Sequence, residues 1–327
     1  MHVYDSNLLR LLRLVDSIPW PSPPRRRGRP YVYPYAVMLK CFIVMVWQRI
    51  DSNRGLHAYL TMERPYNGAV QLACGLGGRV PCRRTFDRRL RGIPPLVRAS
   101  IGVVARLLCS KGLVYPLILA VDSSLLQARG PVWHKSSMER GEIPCPGIDT
   151  DARWGRSGVK GWVFGYKAGL VSSTMPVVVP LSADFTTANA PDNTVYPSLT
   201  EELPGETGFI AADGGWDDWN LRALTAARGR ILVTHVERRK KTPPERLALA
   251  EFYESEAGQS IYGLRSVTVE PLIGQIKEVF GLDPLPMRGL ERASALYLIC
   301  ILVYQLVVYL NHLQGRPLRD IKHLLTT

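Results

Sequence analysis

Two rhythms of apolar and polar positions divide the chain. From Tyr35 to about Leu108 the spacing is helical. It holds an apolar run from Ala36 to Trp47, an amphipathic stretch around Leu56 to Leu60, and the basic segment RRTFDRRLRG, which opens after Pro81 and closes at Gly92. After Gly112 the grammar changes. LVYPLILAVD is a short β-branched apolar run ending in a carboxylate, and GWVFGYKAGLVSS, PVVVPLSADF, TGFIAAD and ILVTHV are further strand candidates. Asp192 to Leu203 predicts a short helix. Asp217 or Asp218 is placed to cap another, running to Arg228 and stopped by Gly229, and helices fill the remainder to about His312.

This order, three strands and then alternating helices and strands, is that of a mixed α/β sheet. The predicted organisation is a basic arm over residues 1–34, a small all-helical domain over 35–111, an α/β domain over 112–312 and a tail over 313–327. Within the arm, PSPPRRRGRPYVYP holds five prolines and four arginines, a composition unsuited to helix or packed sheet. Residues 127–160 are rich in Gly, Pro and charge and predict a long loop. Ala293 to Leu310 is apolar enough to raise the question of a membrane span, but it sits at the lower length limit and reads as a buried helix.

Charge sharpens this picture. Forty-one Lys and Arg against 28 Asp and Glu give a formal net charge of +13, which attracts polyanions such as nucleic acid well beyond contact range. The six cysteines are scattered, with no CxxC pair, and read as reduced thiols of a cytoplasmic protein. Charges at Asp5, Arg10 and Arg13 interrupt the leucines of the amino terminus, so secretion is not expected.

The candidate chemistry is carboxylate. Asp122 and Asp213 each follow an apolar strand directly, and ligands collect at the carboxyl ends of strands in open α/β sheets. If those strands are neighbours the acids meet, and two close carboxylates persist only with a proton or a cation between them. Taken singly, each Asp also suits the turn that ends its strand. A third acid, Glu270, begins a segment in which Leu272, Ile276, Val279 and Phe280 form an apolar stripe. Glu270 and Lys277 lie seven residues apart on one face, Tyr262 and Arg265 face the same side one turn earlier, and Pro271 marks a helix start or kink. Taken alone, Glu270 and Lys277 also suit a solvated surface helix. His134 and His235 are isolated and read as surface or packing residues. Ser123 and Ser124 lack the glycine setting of a nucleophile elbow. Trp216, just after a strand, reads as core, with base stacking as the alternative.

AVDSS at Asp122, GYK at Gly165, AADGGWDD at Asp213, and Tyr262, Arg265, Glu270 and Lys277 in that order resemble the DDE transposases of prokaryotic insertion sequences. The last four are similar to the Tyr-Arg-Glu-Lys signature of one large branch. RGRPYVYP and RRTFDRRL extend the similarity, from about Arg27 to Leu310. Arg265 and Glu270 are one residue farther apart than in that signature, and Gly-Gly-Trp follows Asp213 where Lys-Gly-Tyr is usual. The resemblance implies a ribonuclease H-like catalytic domain, an arrangement the order of elements permits, preceded by a helical DNA-binding domain. It implies metal-dependent strand cleavage and strand transfer on terminal inverted repeats and target DNA. Two Mg2+ ions, for which Mn2+ can substitute, would be held by Asp122, Asp213 and Glu270. Tyr262, Arg265 and Lys277 would contact phosphates beside the scissile bond.

A homodimer on paired DNA ends in the prokaryotic cytoplasm is the implied assembly, with no membrane and no small-molecule substrate. Arg83, Arg84 and Arg88 in the basic helix, the run Arg25 to Arg29, and Arg238 and Arg239 with the two lysines that follow are candidates for DNA contact; solvated surface is the alternative for each. The competing functions are a host endonuclease of the same fold without strand transfer, and a non-catalytic DNA-binding protein derived from a transposase.

Overall fold

The computed structural model describes residues 6–22, 31–158, 160–238 and 243–326. Helices α1 (Asn7–Asp16), α2 (Tyr35–Trp47), α3 (Asn53–Thr61), α4 (Pro65–Cys74), α5 (Arg83–Gly92) and α6 (Pro94–Ser110) come first. Then follow β1 (Ile118–Gln127), α7 (Lys135–Glu139), β2 (Arg153–Ser157), β3 (Gly161–Ser173), β4 (Pro180–Thr187), α8 (Asp192–Thr200) and β5 (Phe209–Ala211). After a 3-10 turn at Gly214–Trp216 come α9 (Trp219–Ala227), β6 (Ile231–Val233), α10 (Pro244–Glu254), α11 (Glu256–Val267), α12 (Val269–Phe280), α13 (Leu290–Leu313) and α14 (Ile321–Thr326). Two compact units result. One comprises residues 1–104, 127–152 and 276–327, the other residues 105–126 and 153–275.

The first unit is helical, and its centre is α13. Apolar on every face, this 24-residue helix is long and apolar enough to cross a membrane, yet its whole apolar window is buried inside the protein. A helix apolar all round needs partners all round. Here α1, α2, α5 and α14 supply them, so the segment is a core helix, as its sequence predicts. This demand also explains why the unit is discontinuous in sequence, drawing residues 276–327 to the amino-terminal helices. The arm expected over residues 1–34 contains α1, whose existence its composition did not suggest. Ser6 caps it by accepting from the Leu9 amide at 3.3 Å, and Leu8, Leu9, Leu11, Leu12 and Val15 are buried. The runs Arg25 to Arg29 and Arg239 to Lys241 lie outside the described residues.

The second unit is built on a sheet that is six-stranded among the described residues, with neighbours in the order β2-β3-β1-β5-β6 and β4 also paired with β3. β1, β5 and β6 run parallel; β3 is long enough to pair antiparallel with β2 from Gly161 to Gly165 and with β4 from Tyr166 to Ser172. A first strand in the middle, a hairpin on one side and two parallel strands on the other make this a ribonuclease H-like sheet. β2 lies inside the loop expected over residues 127–160. Its polar sequence, RWGRS, hid a strand whose stability comes from pairing with β3 rather than from apolar burial.

Helix α11 docks on β5 and β6 through Ile261, which packs with Ala211 and Val233. The corner leading into it is tight. A Cβ at Gly258 would lie 2.0 Å from the carbonyl oxygen of Phe252. Gly258→Ala is therefore expected to destabilise the protein by about 1–3 kcal/mol, the usual cost of forcing an extra carbon into a packed site. Urea denaturation checks this, and an unchanged midpoint would show that the corner opens at no cost.

Candidate active site

The site forms where the parallel pairing of β1 with β5 ends. β1 and β5 pair with Ala120 opposite Ala211, and Asp122 and Asp213 both stand two residues further on, so the two acids leave neighbouring strands in matched positions. Asp122, expected to end its strand, instead lies within β1, which runs on to Gln127. Its Oδ1 accepts from the Ser123 amide at 2.8 Å. Asp213 caps the 3-10 turn, its Oδ1 accepting from Gly215 N at 3.0 Å, so the turn-capping role open to any strand-ending Asp is realised at this residue. The glycine after Gly214 has a local reason: a Cβ at Gly215 would come 3.1 Å from that same Oδ1.

The third acid arrives from a helix break. Tyr262 and Arg265 lie on α11, and Glu270 is in the first turn of α12; the two helices are separated at Thr268, a buried residue whose backbone (φ −121°, ψ −78°) fits neither. The Thr268 hydroxyl donates to the Leu264 carbonyl at 2.5 Å and helps close α11. The break accommodates the extra residue between Arg265 and Glu270: the two side chains meet by a turn of the chain rather than along one helical face. Tyr262 stands edge-on to Tyr253 (5.1 Å between ring centroids), which in turn meets His235 edge-on, giving that histidine a packing role.

Arg265 is the hub. One guanidinium nitrogen, Nη1, lies 2.5 Å from Glu270 Oε1 and 3.9 Å from Asp122 Oδ2, while the Tyr262 ring lies 5.6 Å from the guanidinium carbon. Nε of Arg265 is buried without a hydrogen-bond partner. Burial opposes the guanidinium charge, but Glu270 and Asp122 outweigh it and hold the arginine above its ordinary pKa. Asp122 carries the opposite strain. Burial pushes its pKa up to about 6, the Ser123 amide and Arg265 pull down, and the charges of Asp213 and Glu270 push up again.

Sequence reasoning missed the buttress beside Asp122. Lys167 Nζ and Ser123 Oγ both donate to Asp192 Oδ1, at 3.0 and 2.7 Å, with the lysine side chain almost buried. The GYK motif pointed at Lys167, but only the fold could say that its partner comes from α8. Asp217, one of the two candidate caps, instead has a shielded carboxylate paired with Arg222 and Arg246. Asp218, of the two candidates, is the residue that caps α9.

Other expected positions fall elsewhere. Trp216 is buried against Tyr196, at 5.6 Å between rings, and is core. Lys277 lies farther along α12 in the helical unit, where its Nζ is 4.0 Å from Asp283. Arg238 is exposed and paired with Glu254, Arg239 lies outside the described residues, and Arg83, Arg84 and Arg88 are exposed on α5.

The family model described as "Transposase DDE domain" matches residues 116–306, more than half of the chain. The chain belongs to the DDE transposase family. No curated protein matches it in sequence. Among solved structures, its fold is similar to that of piggyBac transposase in a synaptic complex with hairpin DNA (13% identity, TM-score 0.43, covering 99% of this chain and 79% of that one). It is also similar to a chain of a pre-cleavage Mos1 transpososome (10% identity, TM-score 0.21, covering 85% and 81%). Both likenesses are remote. Within the matched domain Asp122, Asp213 and Glu270 offer only carboxylate oxygens, a chemistry that hard divalent cations prefer. Among the described residues no three acids, histidines or cysteines already form a coordination cluster, and the cation that Glu270 and Asp122 share is the guanidinium of Arg265.

The raised pKa of Asp122 has a stability consequence. Because the folded value (about 6) exceeds the unfolded one (3.8), the folded state is at no disadvantage below pH 3.8, loses stability as pH rises, and bears the full cost above about pH 6. Asp122→Asn removes that charge. In metal-free buffer it is expected to raise stability by on the order of 2–3 kcal/mol at pH 7.5, with the gain fading below pH 4. Thermal denaturation as a function of pH checks this, and a pH-independent gain would assign the effect to packing instead.

Proposed function

We propose that this DDE transposase cuts the ends of a DNA element and joins them to target DNA, with Asp122, Asp213 and Glu270 as the catalytic carboxylates. The observation that carries the reading is the meeting of Asp122, Glu270 and Arg265 beside Asp213 within the family's domain. DDE transposases generally use divalent metal ions, and the three acids would hold them, Mg2+ being the proposed ion and Mn2+ a substitute. When bound there, such ions make a water or 3′ hydroxyl a better nucleophile and stabilise the leaving oxygen.

The remaining roles belong to the chain itself. Asp122 is held back from easy ionisation by burial and by its acidic neighbours, so it is primed to take a cation. Arg265 keeps the acids together, and its planar fork suits a phosphate oxygen pair beside the scissile bond. Tyr262 supports the guanidinium from one side, and Lys277 would act as a point charge on the backbone. In the reaction a P–O bond to the water or 3′ hydroxyl forms in line as the bond to the leaving oxygen breaks, with no covalent enzyme intermediate.

The matching branch is proposed to be that of prokaryotic insertion sequences carrying the Tyr-Arg-Glu-Lys signature, acting in the cytoplasm near the nucleoid. Its DNA would be terminal inverted repeats and target duplex, held by a homodimer on paired ends. The helical unit, with Arg83, Arg84 and Arg88 on α5, is the proposed DNA-binding part.

Purified protein incubated with Mg2+ and labelled duplex carrying the element's end is expected to nick the end and join it to a plasmid target. Asp122→Ala and Glu270→Ala should each lower both steps by at least a thousandfold while retaining DNA binding in a gel-shift assay. Nicking that survives Asp122→Ala would overturn the assignment, and nicking without joining by the unaltered protein would identify an endonuclease instead.

A further inference from the structure

The ion pair of Lys167 and Asp192 has no part in the chemistry described above, yet it bears on the residue next to Asp122. Lys167 lies on β3, Asp192 in the first turn of α8 and Ser123 on β1, so three elements meet at this point. The lysine side chain is only 10% exposed. An ammonium so shielded from water is costly unless a carboxylate answers it. Asp192 Oδ1 does so at 3.0 Å, and the same oxygen accepts from Ser123 Oγ at 2.7 Å.

Ser123 joins this pair to Asp122. Its amide donates to Asp122 Oδ1 at 2.8 Å while its hydroxyl donates to Asp192. Successive side chains of a strand point to opposite faces, so the serine grips α8 on one face while its backbone holds a carboxylate that leaves from the other. The register of β1 with β5 runs from Ile118 to Ala120, so Ser123 lies beyond that ladder and gains its hold on α8 through a side chain. With Oδ1 engaged by the Ser123 amide, Asp122 turns Oδ2 toward the cation at the site, here Arg265 at 3.9 Å.

The support is itself well seated. A Cβ at Gly169 of β3 would lie 2.9 Å from Leu199 Cδ1 and 3.2 Å from Val195 Cγ1, both on α8, so helix and strand are in close contact there. The Tyr196 hydroxyl of α8 is hydrogen-bonded to that of Thr225 on α9 at 2.8 Å, and the Tyr196 ring packs on Trp216 in the turn that Asp213 caps. One helix therefore bears on both strand acids, on Asp122 through Asp192 and Ser123, and on the turn of Asp213 through Tyr196. Lys167 is the counter-charge that lets Asp192 serve in this place. Without it Asp192 would stand as a further unanswered negative charge beside Asp122.

We propose that Lys167 and Asp192 are positioning residues that hold the Asp122 carboxylate, through Ser123, in the orientation it needs to bind a divalent cation. The inference rests on the reading of Asp122 as a metal-binding carboxylate, and adds the residues that aim it. A pair that served only to pack α8 on the sheet would change stability without changing how tightly Asp122 takes a cation.

The test is a titration of the full chain with Mn2+ in the absence of DNA, followed through the electron paramagnetic resonance signal of the free ion. Asp122→Ala defines the part of the binding that belongs to the site. Lys167→Met removes the ammonium at similar length, and Ser123→Ala removes only the bridging hydroxyl. Each is expected to weaken the site's Mn2+ affinity about tenfold, the lower end of the range usual for residues that orient a metal ligand. The double variant should be no weaker than the weaker single one, because both changes break the same chain of contacts. Unchanged affinity in both single variants, or single effects that multiply in the double, would overturn the proposal and leave the ion pair to packing. Melting temperatures show which variants are folded, and Ser123→Ala, which deletes one oxygen, decides the matter even where Lys167→Met does not fold. Equal Mn2+ binding by the unaltered protein and Asp122→Ala would overturn the metal-binding reading of the acids and this inference with it, a result distinct from site binding that the single variants leave intact.

Discussion

Negative charge gathered where two parallel strands stop pairing is the constraint around which the α/β unit is organised. Pairing β1 with β5 in register places Asp122 and Asp213 side by side, and the return of the chain through α11 and α12 adds Glu270. In a partly buried setting such a group is costly unless a cation answers it. Arg265 answers it in this structure. Its position depends in turn on α11 lying against β5 and β6 through Ile261, and on the break at Thr268 that lets Glu270 turn back toward it. Disturbing this packing would move a charge, so the apolar docking of one helix governs the electrostatics of the site.

The two units solve opposite problems with the same interaction. In the α/β unit one arginine, Arg265, spans the two acids Asp122 and Glu270. In the helical unit arginines predominate, and Asp87 and Asp51 draw several of them into fixed places. Helix α13, buried from Ala293 to Asn311, organises the helical unit, because its apolar surface on every side is covered by helices from the distant amino-terminal part of the chain together with α14.

Much of this was legible in the residues. β1, β3, β4, β5 and β6 announce themselves as apolar runs bounded by Gly, Pro or acid, and the buried stripe of Leu272, Ile276, Val279 and Phe280 on α12 follows from its helical spacing. The burial of Trp216 was the expected outcome for a tryptophan just after a strand. Two elements escaped notice because their stability is not written locally. β2 is polar and stands by hydrogen bonding to β3, and α1 precedes a Pro and Arg-rich stretch whose composition masks the leucines before it. Lys167 and Asp192 were illegible as a pair for a related reason. Twenty-five residues separate them, and only the packing of α8 beside the sheet brings them together.

Local pattern marked most segments as helix or strand and singled out Asp122, Asp213 and Glu270 as candidates, because burial periodicity and carboxylates set beside apolar runs are properties of short stretches. Long-range packing settled what those acids face. That Asp122 and Asp213 leave adjacent strands, that Arg265 and Glu270 meet across a helix break instead of along one face, and that Lys167 and Asp192 come together beside Ser123 all depend on contacts between residues far apart in the chain. Spacing along a polypeptide constrains neighbours within a turn or two; beyond that distance, position is decided by which apolar surfaces must be covered and which charges must be answered.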